Sequence, residues 1–220
     1  MTVDTAALRP PSRRRFLNGA LTVALLGAGM QASARDASQP APIPPGGLKS
    51  HFPFGAVEPI RPTAAWPVTT HLGIHTDLTT LLRGKTSALQ LMFTGCSASC
   101  PIQGALFAQA LQVLAPGTSG MQLVSLSIDA LADTPTRLSD WLRKFSAKAG
   151  WVAAVPAVAD VARIVQALGA GGQAPLSNSD PHSGQIYLFN RRAELVYRTP
   201  STPPAADIVA ALRLVATRWP

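Results

Sequence analysis

The stretch that most constrains this chain runs from Leu89 to Leu114, where a short apolar run gives way to helical spacing across a turn that holds the only two cysteines. Leu89-Gln-Leu-Met-Phe93 reads as a strand, and Thr94-Gly95 ends it. Ile102, Leu106, Ala110, Leu111 and Leu114 then recur at helical spacing behind Pro101, a residue suited to a first helical turn. A strand that feeds a helix needs further strands to pair with, and the downstream sequence supplies them. Met121 to Ile128 alternates as a strand, and Thr134-Pro135 caps and opens a helix with Leu138, Trp141, Leu142 and Phe145 on one face. Val158, Val161, Val165 and Leu168 are in helical register up to Gly169. Gln185–Phe189 and Leu195–Arg198 form a hairpin around Asn190-Arg-Arg-Ala193. Ile208, Leu212 and Val215 close with a helix that is acidic early (Asp207) and basic late (Arg213, Arg218), as the helix dipole favours.

This alternation predicts an α/β fold: a thioredoxin-like three-layer sandwich with a central mixed sheet, over residues 66–220. Hydrophobic residues make up 47% of the 220 and charged ones 14%, enough for a compact core and against bulk disorder. The net charge of +8 draws on Arg9, Arg13, Arg14 and Arg15 at the N-terminus. The remaining positive charge is scattered, without a basic stripe interleaved with aromatics, so no nucleic-acid partner is expected.

Residues 1–34 read as an export signal. Arg13-Arg14-Arg15 precedes Phe16-Leu17, a short mildly apolar run follows from Gly19 to Ala28, and Ala32-Ser33-Ala34 is a small-residue cleavage site. Paired arginines before Phe-Leu resemble the twin-arginine signal of bacteria, which places the domain in the periplasm. An uncleaved signal would instead tether it beside the membrane. Residues 35–65, with Pro40, Pro42, Pro44, Pro45, Pro53, Pro59 and Pro62, read as a proline-rich linker with an irregular lead-in.

Cys96 and Cys100 stand in Thr94-Gly-Cys-Ser-Ala-Ser-Cys-Pro101, at the junction of strand and helix. Unpaired backbone N–H groups at a helix start lower a thiol pKa and make the thiolate available as nucleophile or ligand. Spacing of i, i+4 lets both sulfurs approach one point, and it also permits a redox-active disulfide or a structural one closing a short loop. Two thiolates are soft donors that favour Cu(I), and one imidazole would complete a site able to hold Cu(II) as well. His182, in Asp180-Pro-His-Ser-Gly-Gln-Ile-Tyr-Leu188, is the candidate third ligand, because the loop at this place in a thioredoxin-like fold packs against the cysteine turn. Asp180-Pro181 is a candidate cis peptide for the same reason.

Cys96-x-x-x-Cys100-Pro101 after an apolar strand, Ser127-Ile-Asp129 followed by Asp133-Thr-Pro135, and His182-Ser with Tyr187-Leu188 downstream together resemble the Sco/SenC family. The resemblance implies a periplasmic, thioredoxin-fold, copper-binding protein that helps assemble the copper centre of cytochrome c oxidase. By it, Cys96, Cys100 and His182 match the family's copper ligands, and Asp129 and Asp133 match acidic positions near the site. The implied partner is the oxidase's copper-binding subunit or another copper-site client, together with other periplasmic copper chaperones. Ile102-Gln103 after the Cys-Pro pair, Ala130 after Ile-Asp, Pro181 between Asp180 and His182, and the hairpin Asn190-Arg-Arg-Ala193 depart from the family pattern.

Two functions compete on these residues. A non-enzymatic carrier would capture copper and pass it to an apo client; a thiol–disulfide oxidoreductase would reduce the client's cysteines before metallation. His182 separates them, since a pure dithiol reductase has no need of it. A peroxide-reducing enzyme fits worse, with Thr94 alone matching its expected surroundings. His71 and His75 fall in an early hairpin, where strand geometry sets them apart from one another, and Met92 and Met121 read as core.

Overall fold

The computed structural model describes residues 53–114, 120–169 and 184–220. The signal and most of the proline-rich stretch lie outside them, as do Asp180, Pro181 and His182. In chain order, β1 (Gly55–Pro62), β2 (Pro67–Thr70) and β3 (His75–Asp77) lead into α1 (Leu78–Leu82). Then come β4 (Thr86–Met92), α2 (Ser99–Leu114), β5 (Met121–Ser127), α3 (Pro135–Lys144) and β6 (Trp151–Pro156). A 3₁₀ turn (Val158–Asp160) opens α4 (Val161–Leu168), and β7 (Ile186–Phe189), β8 (Glu194–Arg198) and α5 (Ala205–Arg218) complete the chain.

The strands form one eight-stranded mixed sheet in the order β1-β8-β7-β4-β5-β6-β2-β3. The central pairs β4·β5 and β5·β6 are parallel, and all the others are antiparallel. Parallel strands need both faces covered, and β4 is buried at every position. Its side chains alternate between two cores: Ala88 and Met92 face α2, α3 and α5, while Leu89 and Leu91 face α1 and α4. The first core is aromatic at its lower end, where Trp151 meets Phe107 and Trp141 edge-on, each at 5.6 Å between ring centroids. Such pairs add about 0.5–1.5 kcal/mol each beyond the area they bury. Two helical layers around a mixed sheet make the expected three-layer α/β sandwich.

Local signals act where the sequence places them. Thr134 accepts the Arg137 amide at 3.3 Å and Pro135 opens α3. Gly169 ends α4 in the left-handed conformation at φ 70°. The Asn190 side-chain oxygen accepts the amides of Arg192 and Glu194, both at 3.0 Å, which shapes the hairpin between β7 and β8.

One expectation needs correcting. Residues 35–65 read as linker, yet Gly55–Pro62 is a strand, paired antiparallel with β8 and irregular in register between Ala56 and Arg61. Prolines are compatible with a strand at a sheet edge, where their missing N–H leaves no ladder bond broken. Only Val57 of this strand is buried, so it carries no alternating apolar signature. His71 and His75 do fall at the β2–β3 hairpin, and each hydrogen-bonds within it or to its neighbour: His71 Nδ1 at 3.3 Å from the Ala153 carbonyl, His75 Nδ1 at 3.1 Å from Thr69 Oγ1.

Candidate metal centre

Both cysteines lie where β4 hands over to α2. Cys96 sits in the turn, half-buried, and its amide donates to the Phe93 carbonyl at 3.2 Å. Cys100 is one residue into the helix and buried, packed in the core with Met92 and Phe107. The Cys100 amide donates to Cys96 Sγ at 3.4 Å, so the first sulfur caps the free N–H groups of the helix start. Both thiols are free.

Their ionisation is divided between them. Burial works against the Cys96 thiolate, but hydrogen bonds from the Cys100 thiol, the amides of Cys100 and Ala98 and the Ser99 hydroxyl outweigh it and hold the Cys96 pKa below the ordinary thiol value. Burial, and then the proton that Cys100 shares with Cys96, push the Cys100 pKa up to about 12. Cys96 is therefore the sulfur that ionises first and the one open to solvent. Two sulfurs near enough to share a hydrogen bond are a soft donor pair, and they fit a Cu(I) cargo.

The two aspartates take structural positions. Asp133 is buried and accepts from Thr94 and Ser127, while Asp129 Oδ1 accepts the Ala132 amide at 3.2 Å and folds its own turn. Among the described residues no cluster of three or more His, Cys, Asp or Glu side chains could hold a metal ion. His182, the expected third ligand, lies outside the described residues. The role of Asp133 was not legible beforehand, because its partner Thr94 is 39 residues away in sequence.

A thioredoxin-like sheet with two free thiols at the end of its central strand defines the class. Within that class the SCO1/SenC family model matches residues 64–217, and the chain belongs to the SCO1/SenC family. No curated protein sequence matches the chain. Among solved structures it is similar to a SCO1/SenC family lipoprotein from Bacillus anthracis str. Ames, with 21% identity and a TM-score of 0.59, over 73% of this chain and 99% of that one. Copper-bound ScoI from Bradyrhizobium japonicum is similar with 18% identity and a TM-score of 0.55, over 69% of this chain and 98% of that one. Copper-bound yeast Sco1 is similar with 15% identity and a TM-score of 0.57, over 71% and 93%. These likenesses establish a shared fold.

Proposed function

We propose that this chain is a periplasmic copper chaperone that binds copper through Cys96, Cys100 and His182 and passes it to the copper centre of cytochrome c oxidase during assembly. The observation that carries the reading is the thiol pair itself. An outer sulfur that ionises readily and an inner one held beside it suit stepwise capture and release of a soft ion. The copper-bound structures support the choice of metal, and a similar Sco structure described as a member of the Sco family of cytochrome c oxidase assembly proteins supports the choice of client. Export by the twin-arginine route, with residues 1–34 as signal and 35 onward as the start of the mature chain, is part of the same proposal. Replacing Arg13 and Arg14 with Lys should hold the precursor in the cytoplasm, and undiminished periplasmic protein would overturn this part.

Copper titration of the reduced protein tests the central reading, with one Cu(I) bound per chain as the expected result. Cys96→Ser and Cys100→Ser should each abolish it. His182→Ala should keep Cu(I) bound through the thiols but lose Cu(II), because imidazole is the harder donor. It should also leave oxidase assembly defective at limiting copper. Full assembly at low copper in His182→Ala would overturn the carrier reading.

The second reading, reduction of the client's disulfide, is favoured by the same unequal thiols. The Cys96 thiolate would attack the client's disulfide and release one client thiolate, which takes up a proton. Cys100 would then give up its proton and attack Cys96 in the mixed disulfide, freeing the second client thiol. Two electrons leave the dithiol, and a Cys96–Cys100 disulfide remains. A similar Sco protein of known structure, 16% identical with a TM-score of 0.58 over 74% of this chain and 98% of its own, is described as having a disulfide switch.

A further inference from the structure

Asp133 is a buried carboxylate with no hydrogen bond to either sulfur, yet it joins the ends of β4 and β5 to the start of α3 beside the cysteine turn. Thr94, two residues before Cys96, donates its amide to Oδ2 at 3.1 Å and its hydroxyl to Oδ1 at 2.5 Å. Ser127, the last residue of β5, donates its hydroxyl to Oδ2 at 2.6 Å, and the same hydroxyl oxygen accepts the Asp129 amide at 3.1 Å. The Asp133 amide donates to the Asp129 carbonyl at 2.9 Å, and the next residue, Thr134, caps α3. One side chain thus ties the exit of β4 to the exit of β5 and to the start of α3.

We propose that Asp133 is a positioning residue for the cysteine pair: by holding both polar groups of Thr94 it fixes where the turn places the Cys96 sulfur relative to Cys100. The inference rests on the copper-binding reading above. Within the turn the Cys96 amide bonds the Phe93 carbonyl and the Cys100 amide bonds the Cys96 sulfur, and Asp133 is what holds Thr94 to the ends of β5 and α3. Ligand preorganisation by partners beyond the ligands themselves is worth about 10- to 100-fold in metal affinity. The carboxylate acts through geometry here, since its hydrogen bonds go to Thr94 and Ser127 and the causes of the Cys96 shift do not include it.

The test compares Asp133→Asn, Asp133→Ala and Thr94→Val, measuring Cu(I) affinity by competition with a chromophoric Cu(I) chelator and the rate at which iodoacetamide alkylates Cys96. An asparagine oxygen in the Oδ1 place still accepts the Thr94 hydroxyl and, at 3.3 Å, its amide, and the asparagine NH2 can donate to the Ser127 oxygen once that hydroxyl turns away, so Asp133→Asn should lose clearly less than Asp133→Ala. Asp133→Ala should lose about 10- to 100-fold in affinity. Thr94→Val should lose affinity in the same direction, and the double variant should lose no more than Asp133→Ala alone. Equal losses in the Asn and Ala variants would overturn the proposal, because charge would then be the operative property. Lowered thermal stability with affinity and alkylation rate unchanged would overturn it too, by showing a structural role only. If Asp133→Ala does not fold, Thr94→Val with wild-type affinity and alkylation rate still refutes it. A wild-type protein that binds no Cu(I) would refute the copper reading instead, and the alkylation rates would then decide on Asp133 alone.

Discussion

The Phe145 ring occupies the space that a side chain on Gly104 would need: a Cβ built there would lie 2.5 Å from Cε2 and 2.9 Å from Cε1. Gly104 is in the middle of α2, where alanine would gain about 1 kcal/mol of helix propensity. Overpacking costs about 1–3 kcal/mol, so it outweighs that gain. Gly104→Ala is expected to lower stability by up to about 2 kcal/mol, read as a drop in Tm of a few degrees. Shortening the opposing side chain with Phe145→Leu should restore part of the loss, and simple additivity of the two changes would refute the clash.

The two thiols should react at different pH. With its pKa held down by the donors at the start of α2, Cys96 should alkylate below the pH at which an ordinary thiol does. Cys100, with its pKa raised to about 12, should stay unmodified through neutral and mildly alkaline pH. Its raised pKa also means that folding retains a proton which the unfolded chain gives up. Stability from this group is therefore complete below the ordinary thiol pKa and falls as pH rises toward 12. Mass spectrometry of pulse-alkylated protein across pH checks the order, and equal labelling of both residues would contradict it.

Ser125 serves two buried donors at once. Gln90 Nε2 donates to its hydroxyl at 2.8 Å and Trp151 Nε1 at 2.9 Å. Ser125→Ala leaves both without an acceptor, at about 1–3 kcal/mol for each buried unsatisfied group. A loss of about 2–4 kcal/mol by urea denaturation is expected, together with a changed Trp151 fluorescence; a loss below 1 kcal/mol would mean the two donors find other partners.

Arg198 is buried at 6% exposure, and its Nε and Nη2 have no hydrogen-bond partner among the described residues. Burial and then the neighbouring Arg61 guanidinium lower its pKa. Gly169 lets it approach, since a Cβ there would meet Nη2 at 2.9 Å. Replacing a buried cation that lacks partners for Nε and Nη2 among the described residues with an apolar side chain of similar length should help, so Arg198→Met should raise stability by about 1–3 kcal/mol. A destabilised variant would show that the guanidinium has a partner that matters.

Elements whose cause is local could be read from the residues. The strand at Leu89–Phe93, the Thr134 cap, the Gly169 stop and the Asn190–Ala193 turn each rest on chemistry within a few positions of one another, and the structure moves the strand's bounds by one to three residues, to Thr86–Met92. β1 could not be read, because its single buried residue, Val57, gives no period and its pairing partner lies far along the chain. The cysteine pair was legible as a site from its place between strand and helix. The inequality of the two thiols was not, because it depends on Cys100 turning into the core while Cys96 faces out. Asp133 stood out only as an acid near the motif; the fold alone brings Thr94 and Ser127 to it.

The two outermost strands are poor templates for another chain. β1 carries Pro59 and Pro62, which offer no N–H, beside exposed Glu58 and Arg61, and β3 at the other margin has only three residues. Sheets with such margins resist edge-to-edge polymerisation. Among the described residues, neither margin of the sheet therefore offers a second copy a ready template, so edge-to-edge association should stay absent even at high local concentration.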